Sequence, residues 1–250
     1  MEIVLLTALG VGGATVLGSL IGFAFKNLTH KFSDFVLSFA AGVMLSASIF
    51  GLIIPSLEYG GKFPVTILVS GLFSGADLIN FLDRLTPHLN KLTGVDNPET
   101  FNAESTNKVI LFVLAIAIHN IPEGIAAGVG FGTGNVSDAL TIAFGIALQN
   151  LPEGMVIIAP MLSLGMSKKR TLISAFATGA VEIIGTLLGY FTVSISSAIL
   201  PFALAFAGGT MIYVISNEMI PETHSHGSKA SVSYAFLVGF SLMVAMSYLI

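Results

Sequence analysis

His119-Asn120-Ile121-Pro122-Glu123-Gly124 and, thirty residues on (149 minus 119), Gln149-Asn150-Leu151-Pro152-Glu153-Gly154 decide how this chain is read. Each copy sits inside a long apolar segment. Each therefore puts a carboxylate, an amide and one further ligand-type side chain where hydrocarbon is otherwise expected. Polar side chains at such a depth are costly and mark function by default.

The composition supplies the membrane. Of 250 residues 54% are hydrophobic and 10% charged, with a mean hydropathy of +0.90, which a water-soluble surface does not tolerate. The net charge is −4 and the ten Lys and Arg are scattered. No basic stripe exists to neutralise phosphates, which excludes a nucleic-acid partner. With no cysteine, disulfides and thiolate ligands are impossible, so any metal is held by nitrogen, oxygen or thioether. The first apolar run starts at Ile3 without a basic leader or a small-residue cleavage site and reads as a retained helix rather than a signal peptide.

Crossing a bilayer takes about 20 apolar residues in a helix. Such runs are expected at Ile3 to Phe25, Phe32 to Leu57, Phe63 to Leu85, Val109 to Gly130, Ala139 to Leu164, Thr171 to Val193, Ile199 to Ile220 and Val232 to Ile250. The expectation is an all-α integral membrane protein of eight spans forming one transmembrane domain over 1–250. The runs are too uniformly apolar for the alternation of a β-barrel, and their many glycines suit close helix packing in lipid. Lys26, Lys31, Arg84, Lys91, Lys108, Lys168, Lys169, Arg170 and Lys229 fall in odd-numbered connections and Lys62 alone in an even one. The positive-inside rule then puts both termini outside the cell. The longest connection, Thr86 to Asn107, carries Asp96-Asn97-Pro98-Glu99 and reads as a cytoplasmic loop.

A second repeat links the second and seventh runs. Phe39-Ala40-Ala41-Gly42-Val43-Met44 resembles Phe206-Ala207-Gly208-Gly209-Thr210-Met211, and Pro55 or Pro221 follows eleven or ten residues later. The two runs cross in opposite senses, as do the fourth and fifth. Repeats related by inversion are the mark of transporters whose site lies at the repeat interface near the midplane.

The centres of the fourth, fifth and sixth runs fall near residues 120, 151 and 182, the places of His119 with Glu123, Gln149 with Glu153, and Glu182. Each acid costs about 2.5–3.5 kcal/mol at that depth, and no Lys or Arg lies level with them. A counter-charge must be imported. His119 and Glu123 are four positions apart, as are Gln149 and Glu153, and Asn120 and Asn150 stand three before the acids, so each set shares a helix face. Imidazole, carboxylate and amide oxygen together favour Zn²⁺, Mn²⁺ or Fe²⁺ over Ca²⁺ or Mg²⁺. Pro122 and Pro152 free the carbonyls of Ile118 and Leu148 and kink their helices. Glu123 and Glu153 can bridge two ions side by side.

These paired motifs on the fourth and fifth of eight runs resemble the ZIP (Zrt/Irt-like protein) family of divalent-metal transporters. The resemblance implies a fold with three helices on each side of the central fourth and fifth, related by inverted pseudo-symmetry. It implies a homodimer in the cell membrane that moves metal into the cytoplasm, with Zn²⁺ or a similar ion as substrate and no catalytic cofactor. It assigns metal ligands to His119, Asn120, Glu123, Gln149, Asn150 and Glu153, with Glu182 completing a binuclear site. Met44 matches a position that touches the first metal, where a thioether favours softer ions such as Cd²⁺; the same residue also suits core packing. Glu58 looks like the acid at which metal comes in, and Asp83, His88 and Glu218 like ligands on the way out. Asn217 stands where the family often has histidine, and the long connection lacks a histidine cluster, leaving His224 and His226 as paired imidazoles on the cytoplasmic side. Asp77, one turn inside the midplane, is expected to make an interhelical hydrogen bond.

Two other classes meet parts of the pattern. A cation exchanger shares inverted acidic repeats but relies on carboxylates and hydroxyls. An intramembrane metalloenzyme needs an activated water and a general base, and no His-Glu-x-x-His motif is present.

Overall fold

The computed structural model describes residues 1–24, 30–92, 120–163, 167–224 and 229–249, and every regular element among them is helical. In chain order these are α1 (Glu2–Ala24), α2 (His30–Ser46), a π-helical stretch (Ala47–Ile53) leading straight into α3 (Ile54–Tyr59), α4 (Pro64–Leu92), α5 (120–130), α6 (Val136–Val156), α7 (Ile158–Ser163), α8 (Lys168–Ile195), α9 (Leu200–Val214), a second π-helical stretch (Ile215–Met219) leading into α10 (Ile220–His224), and α11 (Lys229–Leu249). Among the described residues six helices are long and apolar enough to cross a membrane: Glu2–Ala24, Lys31–Tyr59, Pro64–Leu82, Lys168–Ile195, Leu200–His224 and Ala230–Leu249. The two segments carrying the paired motifs, α5 and α6, lie between the third and fourth of these.

Local chemistry sets several boundaries. Gly134, at φ 77°, turns the chain after a short 3₁₀ turn (Phe131–Thr133), and the Asn135 side chain then accepts from the Ser137 amide at 3.0 Å to cap α6. Ser167 caps α8 in the same way. Pro64 opens α4, where its missing amide hydrogen costs nothing. That helix runs on to Leu92, past the Thr86 at which hydropathy alone ends it. Hydropathy marks where a helix leaves lipid, and Asp83, Arg84, His88 and Lys91 are at home on a helix standing in water. Residues 93–107 of the expected loop lie outside the described residues.

The second repeat has a structural counterpart. Pro55 and Pro221 each lack the amide that closes an α-turn, and just before each the helix widens to i+5 bonding, Ile54 N donating to Ile49 O and Ile220 N to Ile215 O. Pro152, by contrast, sits inside α6, which runs on until Val156.

Packing sorts the helices into two groups. The helix α1 packs along α6 and α8, α4 along α9, and α2 along α11, while α2 and α6 meet between the groups. Glycine makes the closest of these approaches. Gly12 faces the carbonyl of Gly179 between α1 and α8, Gly128 that of Thr186 between α5 and α8, Gly42 that of Phe236 between α2 and α11, and Gly75 that of Phe206 between α4 and α9. So α1, α5, α6 and α8 form one body, and α2–α3, α4, α9–α10 and α11 the other. A single apolar cluster that includes Val11, Met44, Ala126, Ile146, Leu204 and Met211 joins the two.

Candidate metal centre

Glycine also explains the last letter of each motif. A Cβ on Gly124 would strike the Glu182 carbonyl of α8, and one on Gly154 the Thr15 carbonyl of α1. The bare positions let α8 and α1 lie directly against the motif helices. The side chains of those same two residues, Glu182 and Thr15, then meet: Thr15 Oγ1 donates to Glu182 Oε1 at 2.6 Å. Asn120 Nδ2 donates to the same oxygen, and Asn150 Nδ2 to Oε2 at 2.7 Å. Glu182 is fully buried, so its carboxyl oxygens are met by donors from α1, α5 and α6 rather than by water.

The remaining motif side chains are ordered by the same network. Asn150 Nδ2 also reaches Val11 O at 3.3 Å, and Asn150 Oδ1 accepts from Gln149 Nε2 at 2.7 Å. Gln149 in turn hydrogen-bonds Glu123. Asn120, Glu123, Gln149 and Asn150 are all at most 1% exposed, whereas Glu153 is half-buried. Glu153 neighbours both Glu123 and Glu182.

Three buried oxygens are left over. Asn120 Oδ1, Glu123 Oε2 and Gln149 Oε1 find no hydrogen-bond partner among the described residues. Each such orphan costs about 1–3 kcal/mol, and three in one network require a common answer. Every one is an acceptor, and they come from the two motif segments. Among the described residues no group of three His, Asp or Glu is placed to hold one ion. The acids at this level do not converge as a bare carboxylate cluster. Glu182 is taken up by hydroxyl and amide donors, and amide oxygens stand in the open positions.

The other sequence candidates are spread out. His119 lies outside the described residues, immediately before Asn120, and His226 lies outside them as well. Met44, 1% exposed, is part of the apolar cluster that joins the two groups. Glu58 is exposed on the rim of a cavity of about 200 Å³ that is also lined by Tyr59, Asp138 and Thr141. Asp83 and His88 belong to α4 by backbone, and their side chains lie outside the description. Glu218 is half-buried in the second π-helical stretch, and Asn217 beside it is exposed. His224 Nδ1 is engaged locally, 2.9 Å from Ile220 O and 3.2 Å from Thr223 Oγ1. Asp77 is exposed and makes no interhelical hydrogen bond among the described residues; its side chain points away from α9, against which α4 packs through Gly71 and Gly75. Thr15 was not legible as part of the site. Its one signal is a hydroxyl within the small-residue stretch Gly10 to Ser19 of α1.

Fold and centre together define a multi-pass helical membrane protein with a buried cluster of carboxyl and amide side chains. The family model described as ZIP Zinc transporter matches residues 87–247. The chain is 37% identical to "Zinc transporter ZIPB" of Bordetella bronchiseptica over 92% of its own length and 76% of the relative's. It is 36% identical to "Zinc transporter GufA" of Myxococcus xanthus over 97% and 96%, and 28% identical to the human "Zinc transporter ZIP11" over 94% and 93%. The chain belongs to the ZIP zinc transporter family, a family of transporters rather than enzymes.

Proposed function

We propose that this protein takes up divalent transition-metal ions, Zn²⁺ foremost and Cd²⁺, Mn²⁺ and Fe²⁺ with it, from outside the cell into the cytoplasm. The observation that carries the reading is the set of three orphaned oxygens, Asn120 Oδ1, Glu123 Oε2 and Gln149 Oε1. A dehydrated divalent ion among them answers the cost of burying Glu123 and the motif amides. His119, adjoining Asn120 in sequence, adds the imidazole that draws a borderline metal in preference to Ca²⁺ or Mg²⁺. Glu153, half-buried and neighbouring both other acids, is the natural second carboxylate. Glu182 positions Asn120 and Asn150 and becomes a direct ligand of a second ion when its donors turn away.

In this reading eight spans cross the membrane with both termini outside, inverted pseudo-symmetry relates the halves of the fold, and two copies form a dimer. Alternating exposure comes from movement of the group containing α1, α5, α6 and α8 against the other. Glu58, level with the outer cavity, receives metal. Asp83, His88, Glu218, His224 and His226 hand it on at the cytoplasmic side.

The test is uptake of radioactive zinc into cells expressing Glu123→Ala or Glu153→Ala, with the amount of protein in the membrane measured alongside. Each substitution removes uptake while leaving the protein in place. Undiminished uptake in both variants would end the proposal.

A further inference from the structure

The second motif helix is interrupted just past its acid. α6 ends at Val156 and α7 begins at Ile158, with Ile157 between them at φ −68° and ψ −20°. The ladder reaches the Ile157 amide, which donates to Glu153 O at 3.2 Å, and resumes with the Met161 amide on Ile157 O at 3.4 Å. In a continuous helix the carbonyls of Gly154, Met155 and Val156 would receive the amides of residues 158, 159 and 160. Residue 160 is proline and has none to give, and the interruption at Ile157 breaks the turn that Ile158 would close on Gly154. Gly154 is buried, and a buried carbonyl left open is costly.

This carbonyl is answered from another helix. Ser19 Oγ, on α1, donates to Gly154 O at 3.1 Å, and Ser19 is fully buried. A helical serine often returns its hydroxyl to its own carbonyl four residues back, as Ser48 does to Met44 and Ser194 to Tyr190. Ser19 reaches across instead: Gly154, bare of a Cβ, lies against the Thr15 carbonyl and the Ser19 amide, which brings its own carbonyl within reach. Along α1, Val11 O, Thr15 Oγ1 and Ser19 Oγ recur every four residues and engage Asn150, Glu182 and Gly154 in turn. The first two ties hold side chains of the candidate metal centre. The third holds main chain.

We propose that Ser19 is a positioning residue for metal binding: its hydroxyl stands in for the Ile158 amide, fixes the turn that carries Glu153, and so sets where that carboxyl group stands beside Glu123 and Glu182. Glu153 O takes the last amide of the α6 ladder. Its turn is therefore the end turn of a helix, which frays unless its open carbonyls find partners. Ser19 is that cap, supplied by a neighbouring helix. The inference deepens the reading of Glu153 as a ligand and rests on it.

Ser38 supplies a matched control. It is also buried, and its hydroxyl donates across helices to Val232 O at 2.8 Å within the other group. Ser19→Ala and Ser38→Ala delete equivalent bonds and lower the melting temperature of the purified protein alike. Ser19→Ala alone weakens zinc binding, measured by calorimetry, by roughly fivefold, the weight of one ordinary hydrogen bond in an equilibrium. In a Glu153→Gln background Ser19→Ala has no further effect, because the carboxylate it positions is gone. Without metal, Ser19→Ala speeds hydrogen exchange at residues 155–157, the last amides of the α6 ladder. Equal weakening of zinc binding by Ser38→Ala, unchanged affinity or unchanged exchange in Ser19→Ala, or the same fivefold loss with and without Glu153 would each overturn the assignment. Full zinc affinity in Glu153→Gln alone would instead remove the ligand reading of Glu153, and the role of Ser19 with it.

Discussion

Helices meet in two different ways in this molecule. Within each group they meet backbone to backbone: Gly12 on Gly179, Gly18 on Leu151 and Gly154 on Thr15 in one, Gly42 on Phe236, Gly239 on Phe39 and Gly209 on Leu72 in the other. Between the groups, glycines face side chains. Gly51 looks onto the Ile142 branch, and Gly145 onto the Met243 thioether and the Ala47 methyl. A carbonyl cannot move without its helix, whereas a methionine side chain rotates at little cost. The contrast separates two stiff bodies from a yielding boundary, and the candidate metal-centre residues Asn120, Glu123, Gln149, Asn150, Glu153 and Glu182 all belong to the first body.

The strongest way to break that comparison is to tie the boundary. A Cβ on Gly145 lies 3.7 Å from that of Ala47, within the range a disulfide spans, about 3.5–4.5 Å. Ala47→Cys with Gly145→Cys, once oxidised, is expected to cut zinc uptake roughly tenfold or more if transport moves one body past the other, and reductant should restore it. Full uptake with the bridge in place would show that the boundary does not move.

Inside a body the expected cost is structural. Gly154→Val drives a branched side chain into the Thr15 carbonyl and the Ser19 amide, and should lower stability by about 3 kcal/mol or prevent folding, read as melting of the purified protein. A smaller loss is expected from Thr15→Val, which leaves Glu182 with its two asparagine donors and costs about 1–3 kcal/mol. Zinc affinity measured by calorimetry should fall with it. The smallest effect belongs to the boundary again: Gly145→Ala asks Met243 alone to shift, since the added carbon lies 2.7 Å from its sulfur, and should cost less than about 1.5 kcal/mol. A larger loss there than for Gly154→Val would erase the distinction.

Much of this was written in the sequence because depth and chemistry disagreed there. Asn120, Glu123, Gln149 and Asn150 stood out as polar in apolar runs, and burial at 1% or less bears out their enclosure. The family follows from the same residues. Thr15 was illegible for the opposite reason: a threonine among glycines and alanines looks like packing, and its tie to Glu182, 167 positions away, appears only when α1 and α8 are in contact. The division into two bodies was equally hidden. The family resemblance implied two flanking bundles around a central pair, but which helix a glycine touches depends on three-dimensional adjacency that no spacing encodes. Asp77 was visible as an anomaly and expected to bond within the chain. It faces outward because Gly71 and Gly75 commit the opposite side of α4 to α9.

The widened turns at Ala47–Ile53 and Ile215–Met219 have a kinetic corollary. Amide protons in poorly aligned ladders are released to solvent sooner than those in regular helix. Hydrogen–deuterium exchange should therefore find two soft spots in otherwise slow-exchanging rods, one toward the far end of the Lys31–Tyr59 rod and one toward the far end of Leu200–His224. Since these rods run antiparallel, the soft spots would sit near opposite faces of the bilayer.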